Sequence, residues 1–293
     1  MNIGLIDVDG HNFPNLALMK ISAYHKTKGD DVEWWNGLKH YDRVYQAKVF
    51  DETYSKDLEY VVMADEIIRG GTGYDIQKKL PDEIEHQYPD YSLYGVNEAY
   101  GYITRGCPRG CKFCIVGEKE GLKSYRHAEL SEFWKGQKKI KLLDPNLLAC
   151  KDAKSIMDEL IESKAIIDFT QGLDIRFMTD DLAEKLNKVR VQMIHFAWDN
   201  YEMETFRRFK YFKNLFTHDE RKLRVYVLTN FNTSFEEDIE RVMKLREIGY
   251  DPYLMIYDKP NAPQQLRRLQ RWVNNKWLYR ACEWEEYKYR VEQ

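Results

Sequence analysis

The chain has 293 residues, about two domains at roughly 150 residues each. Its 45 Lys and Arg nearly cancel 48 Asp and Glu, for a net charge of −3, which excludes a histone-like basic protein and an acidic disordered tail. Apolar residues make up 43% and aromatics 14%, enough to bury a sizeable core.

The N-terminus, MNIGLIDVDGHN, has only a short apolar run, no basic stretch before it and an acid at Asp7, so it does not read as a signal peptide. No stretch approaches the ~18 apolar residues of a membrane span. The expected location is the cytoplasm, a reducing compartment. Residues 1–95 read as an α/β unit. Residues 3–8 are a short buried strand; 16–28 carries the helical spacing Leu16, Met19, Ala23 and stops at Gly29; 31–35 and 43–50 are strands. A polar helix with an apolar stripe is expected next, and then Glu66 to Gly73 as a strand running into a Gly-rich turn. Strand, helix, strand with short connections implies a parallel sheet. Residues 75–97, with Pro81 and Pro89, read as a linker or wrapping segment.

A second series begins at Tyr100. Strands are expected at 100–104, 140–144, 166–169, 192–197, 223–228 and 252–257, with helices at 153–163, 180–188 and 235–248 among the intervening segments. Six such repeats suit an open or partial barrel, in which ligands sit at the C-terminal ends of the strands. From Asn261 the chain turns helical and rich in Arg, Trp and Tyr. Arg267, Arg268, Arg271, Lys276, Arg280, Lys288 and Arg290 interleave with Trp272, Trp277, Tyr279, Trp284, Tyr287 and Tyr289. Glu283, Glu285, Glu286 and Glu292 dilute the charge, so a helix capping the barrel is favoured over a nucleic-acid surface. The fold class is therefore α/β: a partial (β/α)6 TIM-like barrel (96–260), preceded by a small Rossmann-like domain with linker (1–95) and followed by a helical extension (261–293).

The five cysteines are too few for a disulfide scaffold and odd in number. Three lie in Gly101-Tyr-Ile-Thr-Arg-Gly-Cys107-Pro-Arg-Gly-Cys111-Lys-Phe-Cys114, directly after an expected strand. Clustered thiolates bind soft metals and iron-sulfur clusters. Gly106 and Gly110 accept positive φ and let a short loop turn its sulfurs inward. Three thiolates leave one iron of a cubane open, as catalytic zinc sites keep an open position. A zinc site would want a fourth ligand, for which His127 is the nearby candidate. Cys150 and Cys282 are isolated and read as buried or indifferent thiols.

Cys-x3-Cys-x2-Cys with an aromatic before the last Cys resembles the signature of the radical SAM superfamily. The resemblance implies that Cys107, Cys111 and Cys114 hold a 4Fe-4S cluster whose fourth iron is chelated by S-adenosylmethionine (SAM). It implies that reduction yields a 5′-deoxyadenosyl radical, and that Phe113 lies beside the adenine. Further SAM groups are expected at later strand ends. The family often has a Gly-Gly-Glu run after the second strand; this chain has Asp144-Pro-Asn146, so Asp144 or Asn146 would substitute. Gln171, Asp174 and Arg176 end the third strand, where the Arg176 fork suits a carboxylate. Asp199 ends the fourth, either as a ribose ligand or as a helix cap. Thr229-Asn230-Phe231-Asn232 ends the fifth with the same ambiguity.

The N-terminal unit, with Gly70-Gly71 after a strand, is similar to the cobalamin-binding domain that precedes many radical SAM barrels. The motif of that domain is Asp-x-His-x-x-Gly; Asp9-Gly10-His11 matches its first positions, but Pro14 replaces the Gly, and the segment before Gly70 is short. A degenerate Rossmann-like domain is therefore expected, with bound cobalamin disfavoured. The implied partner is a reductant such as flavodoxin or ferredoxin, docking on Arg105, Arg109, Lys112, Lys119 and Lys123. The substrate stays unspecified, because one fold hosts many chemistries. Cobalamin-dependent methylation and a non-catalytic iron-sulfur or zinc sensor are the alternatives.

Overall fold

The computed structural model describes residues 1–10, 13–59 and 61–287. His11, and Lys288, Tyr289, Arg290 and Glu292 of the C-terminal segment, lie outside the described residues.

The first unit is a four-stranded sheet of β1 (Asn2–Asp7), β2 (Asp31–Trp34), β3 (Tyr41–Ala47) and β4 (Ala64–Gly70), in the order β2-β1-β3-β4. All three pairings are parallel. Helix α1 (Leu16–Thr27) starts where the Asn15 side chain accepts a hydrogen bond from the Leu18 amide, 3.2 Å away, as Asn caps commonly do. Leu18 and Ile21 of α1 pack on Ile3, Leu5 and Tyr45. A single-turn helix, α2 (Asp82–Glu85), adds Ile84 to the same core. The opposite face carries Ile6, Tyr41 and Val44, and the segments that cover it bring Trp35, Leu58 and Val62. The helix expected between 50 and 66 is absent: the described residues of 51–63 form turns and extended chain, and their apolar side chains serve as this loop cover.

The second unit is a six-stranded parallel sheet of β5 (Ala99–Gly101), β8 (Lys139–Leu142), β9 (Ile166–Leu173), β10 (Val191–Ala197), β11 (Leu223–Thr229) and β12 (Asp251–Ile256). The spatial order follows the chain order, and β5 and β12 are unpaired edges among the described residues. Between β5 and β8 lie the short antiparallel pair β6 (Thr104–Arg105) and β7 (Tyr125–Arg126), with α3 (Val116–Glu120) between them.

Helices α4 (Ala153–Ser163), α5 (Asp180–Lys188), α6 (Met203–Leu215) and α7 (Phe235–Glu247) connect the later strands. Their starts follow from local chemistry. Thr179 accepts from the Leu182 amide at 3.3 Å ahead of Asp180 and Asp181, acids that favour a helix N-terminus. Ser234 and Glu237 form a reciprocal capping box, satisfying two backbone donors.

Strand side chains alternate between faces. Ile140, Leu142, Ile167, Phe169, Ile194, Phe196, Val225, Val227 and Leu254 join the helices in one core. Lys141, Asp168, His195, Tyr226 and Tyr253 alternate with them in sequence and so take the other face. Helices α8 (Gln264–Asn274) and α9 (Lys276–Ala281) close the β12 edge. Asn274 accepts from the Leu254 amide at 2.8 Å, and Gln270 and Asn274 both donate to the Leu254 carbonyl at 3.0 Å. Trp272 is fully buried. The aromatic C-terminal segment is thus an edge cap with an interior face, and its described part packs on the sheet. Among the described residues no helix is long and apolar enough to cross a membrane.

Candidate cluster and SAM site

The cysteine loop leaves the sheet after β5 and is closed at its base by β6 and β7, with Thr104 opposite Arg126 and Arg105 opposite Tyr125. The Cys107 amide donates to the Gly121 carbonyl at 3.2 Å, and the Cys114 amide to that of Cys111 at 3.0 Å. Gly106 has φ +78°, and a Cβ there would lie 2.1 Å from the Lys123 carbonyl oxygen. Only glycine fits that position, on conformation and on space. Cys107 and Cys111 are half-buried and Cys114 is exposed. Burial pushes the Cys111 and Cys114 thiols up, and the charge of Cys107 adds to both shifts. Among the described residues no three His, Cys, Asp or Glu side chains are gathered around a single ion position.

Several strand-end residues meet this loop. Asn146 donates to the Cys107 sulfur and to Asp174, both at 3.4 Å; its side-chain amide oxygen is buried without a hydrogen-bond partner. Asp174 holds Arg176 through two contacts of 2.6 and 3.0 Å and lies 4.0 Å from Arg109. The Arg176 fork therefore already faces a carboxylate. Asp199 is pushed up to about 6 by burial, against the pull of Arg241 and Arg176. Its charge also raises the Cys111 thiol. Phe113 meets Phe231 edge-on at 5.4 Å, and Phe231 meets Tyr257 at 4.9 Å. These rings place the ends of β11 and β12 beside the loop. Gln171 is exposed on β9, one residue before Gly172.

Asp144 is placed differently from the strand-end ligand read in the sequence. It is buried under the loop base, where it accepts from the Ile103 amide at 3.3 Å, the Thr104 amide at 2.5 Å and the Thr104 hydroxyl at 2.6 Å. Burial pushes its carboxyl up to about 6 despite those donors. Asp144 thus anchors the strand that leads to the cysteines. Arg105, one of the basic loop residues expected to dock a reductant, turns onto Glu85 and Glu120. Cys150 and Cys282 are both buried.

Sequence reasoning missed Tyr257 and the pair Asp238–Arg241. The Arg241 guanidinium is fully buried and bonds Asp238 at 2.5 Å, the Leu228 carbonyl at 2.7 Å and the Trp198 carbonyl. It ties together the strand ends that lead to Asp199 and Asn230. The spacing of three in an amphipathic helix was the available signal, but it equally describes a surface ion pair.

Six parallel strands in chain order, a Gly-hinged Cys-x3-Cys-x2-Cys loop after the first of them, and a smaller parallel sheet ahead make up an arrangement shared with a solved radical SAM methyltransferase. The chain superposes with a TM-score of 0.64 on the radical SAM methyltransferase TsrM from Kitasatospora setae with cobalamin and a [4Fe-4S] cluster bound, covering 87% of this chain and 74% of that one at 11% identity. TsrM with tryptophan and a SAM analogue gives the same score over 86% and 72% at 12% identity. No protein-family model matches the sequence, and no curated protein matches it.

The residues present fit an iron-sulfur cluster: three thiols on one hinged loop, with an unpartnered amide oxygen at Asn146 beside Cys107. They do not fit a corrinoid at the strand ends of the small sheet. There Asp9 accepts from the Val49 and Phe50 amides, and Thr72 donates to the Val49 carbonyl at 2.6 Å. A Cβ at Gly71 or Gly73 would lie 2.2 Å from the carbonyl oxygen of Lys48 or Phe50. The loops that face a ligand in such sheets are stitched to each other, and Lys48 is fully buried between them.

Proposed function

We propose that the protein is a radical SAM enzyme acting on a substrate not yet identified. Cys107, Cys111 and Cys114 hold a 4Fe-4S cluster. Asn146, Gln171, Asp174, Arg176 and Asp199 surround the SAM, with Phe113 beside its adenine and Asp144 holding the loop base. Bound there, the cluster supplies the electron that cleaves the SAM sulfonium to give a 5′-deoxyadenosyl radical. The observation that carries this reading is the Gly-hinged loop of three thiols at the strand-end mouth of the six-stranded sheet. The alternating burial of the strands supports a partial (β/α)6 barrel with its polar face inward, over 96–260, between an N-terminal domain (1–95) and a C-terminal cap (261–293). Exposed Lys112 and Lys123 beside Arg109 suit an acidic reductant such as a flavodoxin or ferredoxin. Five unpaired thiols accord with the cytoplasm.

Anaerobic reconstitution followed by SAM and dithionite tests the reading. The expected product is 5′-deoxyadenosine, reduced to background by Cys111→Ala. Cluster without deoxyadenosine would return the protein to the sensor class, and zinc in place of iron would remove the cluster. Cobalamin-dependent methylation has the likeness to TsrM in its favour and the closed strand ends against it. A corrinoid absorption spectrum in the purified protein would reverse that judgement.

A further inference from the structure

The small sheet reaches the cysteine loop through one cluster of charges. Lys20, on α1 and nearly buried, bonds Glu85 Oε1 at 2.9 Å. The same oxygen takes His127 Nε2 at 3.0 Å and an Arg105 guanidinium nitrogen at 3.3 Å. The other side of the Arg105 fork bonds Glu120 Oε1 at 2.7 Å, and Glu120 Oε2 accepts from the Gly106 amide at 2.9 Å. Gly106 immediately precedes Cys107. The Arg105 guanidinium also lies over Tyr102, 3.6 Å from the ring centre. Burial by itself would raise the Glu85 carboxyl, but His127, Lys20 and Arg105 outweigh it and hold it at about 2, so it is fully ionised at neutral pH.

Two features make this more than a set of surface pairs. The participants are mostly screened from water: side-chain exposure is 11% for Lys20, 16% for Glu85, 18% for Arg105 and 11% for Glu120, where ion pairs are strong and geometry matters. The chain of contacts also ends on a backbone amide at a position that only glycine can occupy, since a Cβ at Gly106 would lie 2.1 Å from the Lys123 carbonyl oxygen. A planar fork bridging two carboxylates fixes orientation as well as distance.

We infer that Lys20, Glu85, Arg105 and Glu120 form an ionic brace through which the N-terminal unit positions the cysteine loop. None of the four is one of the cysteines or of the strand-end residues assigned to SAM, so all are positioning residues. The role fits a domain whose own strand ends are closed to a corrinoid: it supports the site mechanically. The inference rests on the cysteines being cluster ligands only for its second readout.

The experiment uses the full-length chain with Arg105→Lys, which keeps the charge but loses the planar fork that holds the two carboxylates in a fixed orientation, and Lys20→Met, at the far end of the brace. Glu159→Gln, which breaks the Arg126–Glu159 pair (2.7 Å) outside the brace, is the control. In metal-free protein, hydrogen exchange over 102–115 should rise about tenfold for Arg105→Lys, and less for Lys20→Met. In reconstituted protein, both should keep wild-type iron content. The EPR signal of the reduced cluster should change shape, and SAM should bind about tenfold more weakly in Arg105→Lys, the size seen for outer-shell partners of metal ligands. A lower melting temperature with exchange no faster than in the control would overturn the brace. If the wild type takes up no iron, the ligand assignment fails, and the exchange measurement still decides the brace.

Discussion

Both sheets are parallel and each has helices on one face, but their other faces differ. In the small sheet that face is apolar, with Ile6, Tyr41 and Val44 plugged by loop residues Leu58 and Val62. In the large sheet it is polar and aromatic, with Lys141, Asp168, His195 and Tyr226. The difference separates roles. A face filled by the chain's own apolar loop has no space or chemistry for a ligand, whereas a lining of donors, acceptors and rings has the chemistry to bind one. The two units also have separate cores, so they can be perturbed one at a time.

The strongest way to break the large unit is Arg241→Met. It removes the guanidinium from Asp238 and from the Trp198 and Leu228 carbonyls, leaving a buried carboxylate unpaired. The expected cost is about 3–5 kcal/mol, read as a drop in the urea midpoint of the main unfolding transition. A loss under about 1 kcal/mol would mean that Asp238 takes a proton or finds water, and that the strand ends do not depend on Arg241.

Leu18→Ala addresses the small unit. Leu18 is fully buried between α1 and the sheet, and its truncation should cost about 2–5 kcal/mol. Because the cores are separate, hydrogen exchange should speed up across β1, α1 and β3 while β9 to β11 keep their protection. Uniform loss across both sheets would show one cooperative body and erase the contrast.

The strands of the large sheet were legible to within two residues at most ends, because alternating burial leaves a period of two. The exceptions are β5, expected to run on to 104, and β9, which extends past 169 to Leu173. The cysteine loop was equally visible, since its spacing is local. What the sequence hid is non-local or depends on which way a side chain turns. Asp144 sits at a strand end like a ligand, yet its partners lie at 103 and 104, on the far side of the cysteine loop. Arg105 looks like its exposed neighbours until Glu85 is folded against it. The missing helix at 51–63 has the same origin: Leu58 and Val62 are four apart, as in a helix, but a loop that plugs a sheet face also needs apolar residues at intervals.

The smallest expected effect concerns the polar face itself. Burial lowers His195 to about 4 from an ordinary value near 6.5, and its Nδ1 lies 3.1 Å from the Phe169 carbonyl, so it is neutral with Nδ1 as the donor. As pH falls below 6.5 the unfolded chain takes the proton first. The stability due to neutral His195 is therefore complete above 6.5 and lost progressively down to 4, by about 1–2 kcal/mol at pH 5. Burial raises the neighbouring Asp168 carboxyl, which works in the opposite sense, because there the folded state takes up the proton first. The informative quantity is thus a difference. His195→Asn keeps a donor toward the Phe169 carbonyl but cannot titrate, so urea unfolding at pH 7 and pH 5 should show a smaller pH 5 loss in the variant. Equal losses in both proteins would mean that His195 is hydrated in the folded state, and that water reaches the free face of the large sheet.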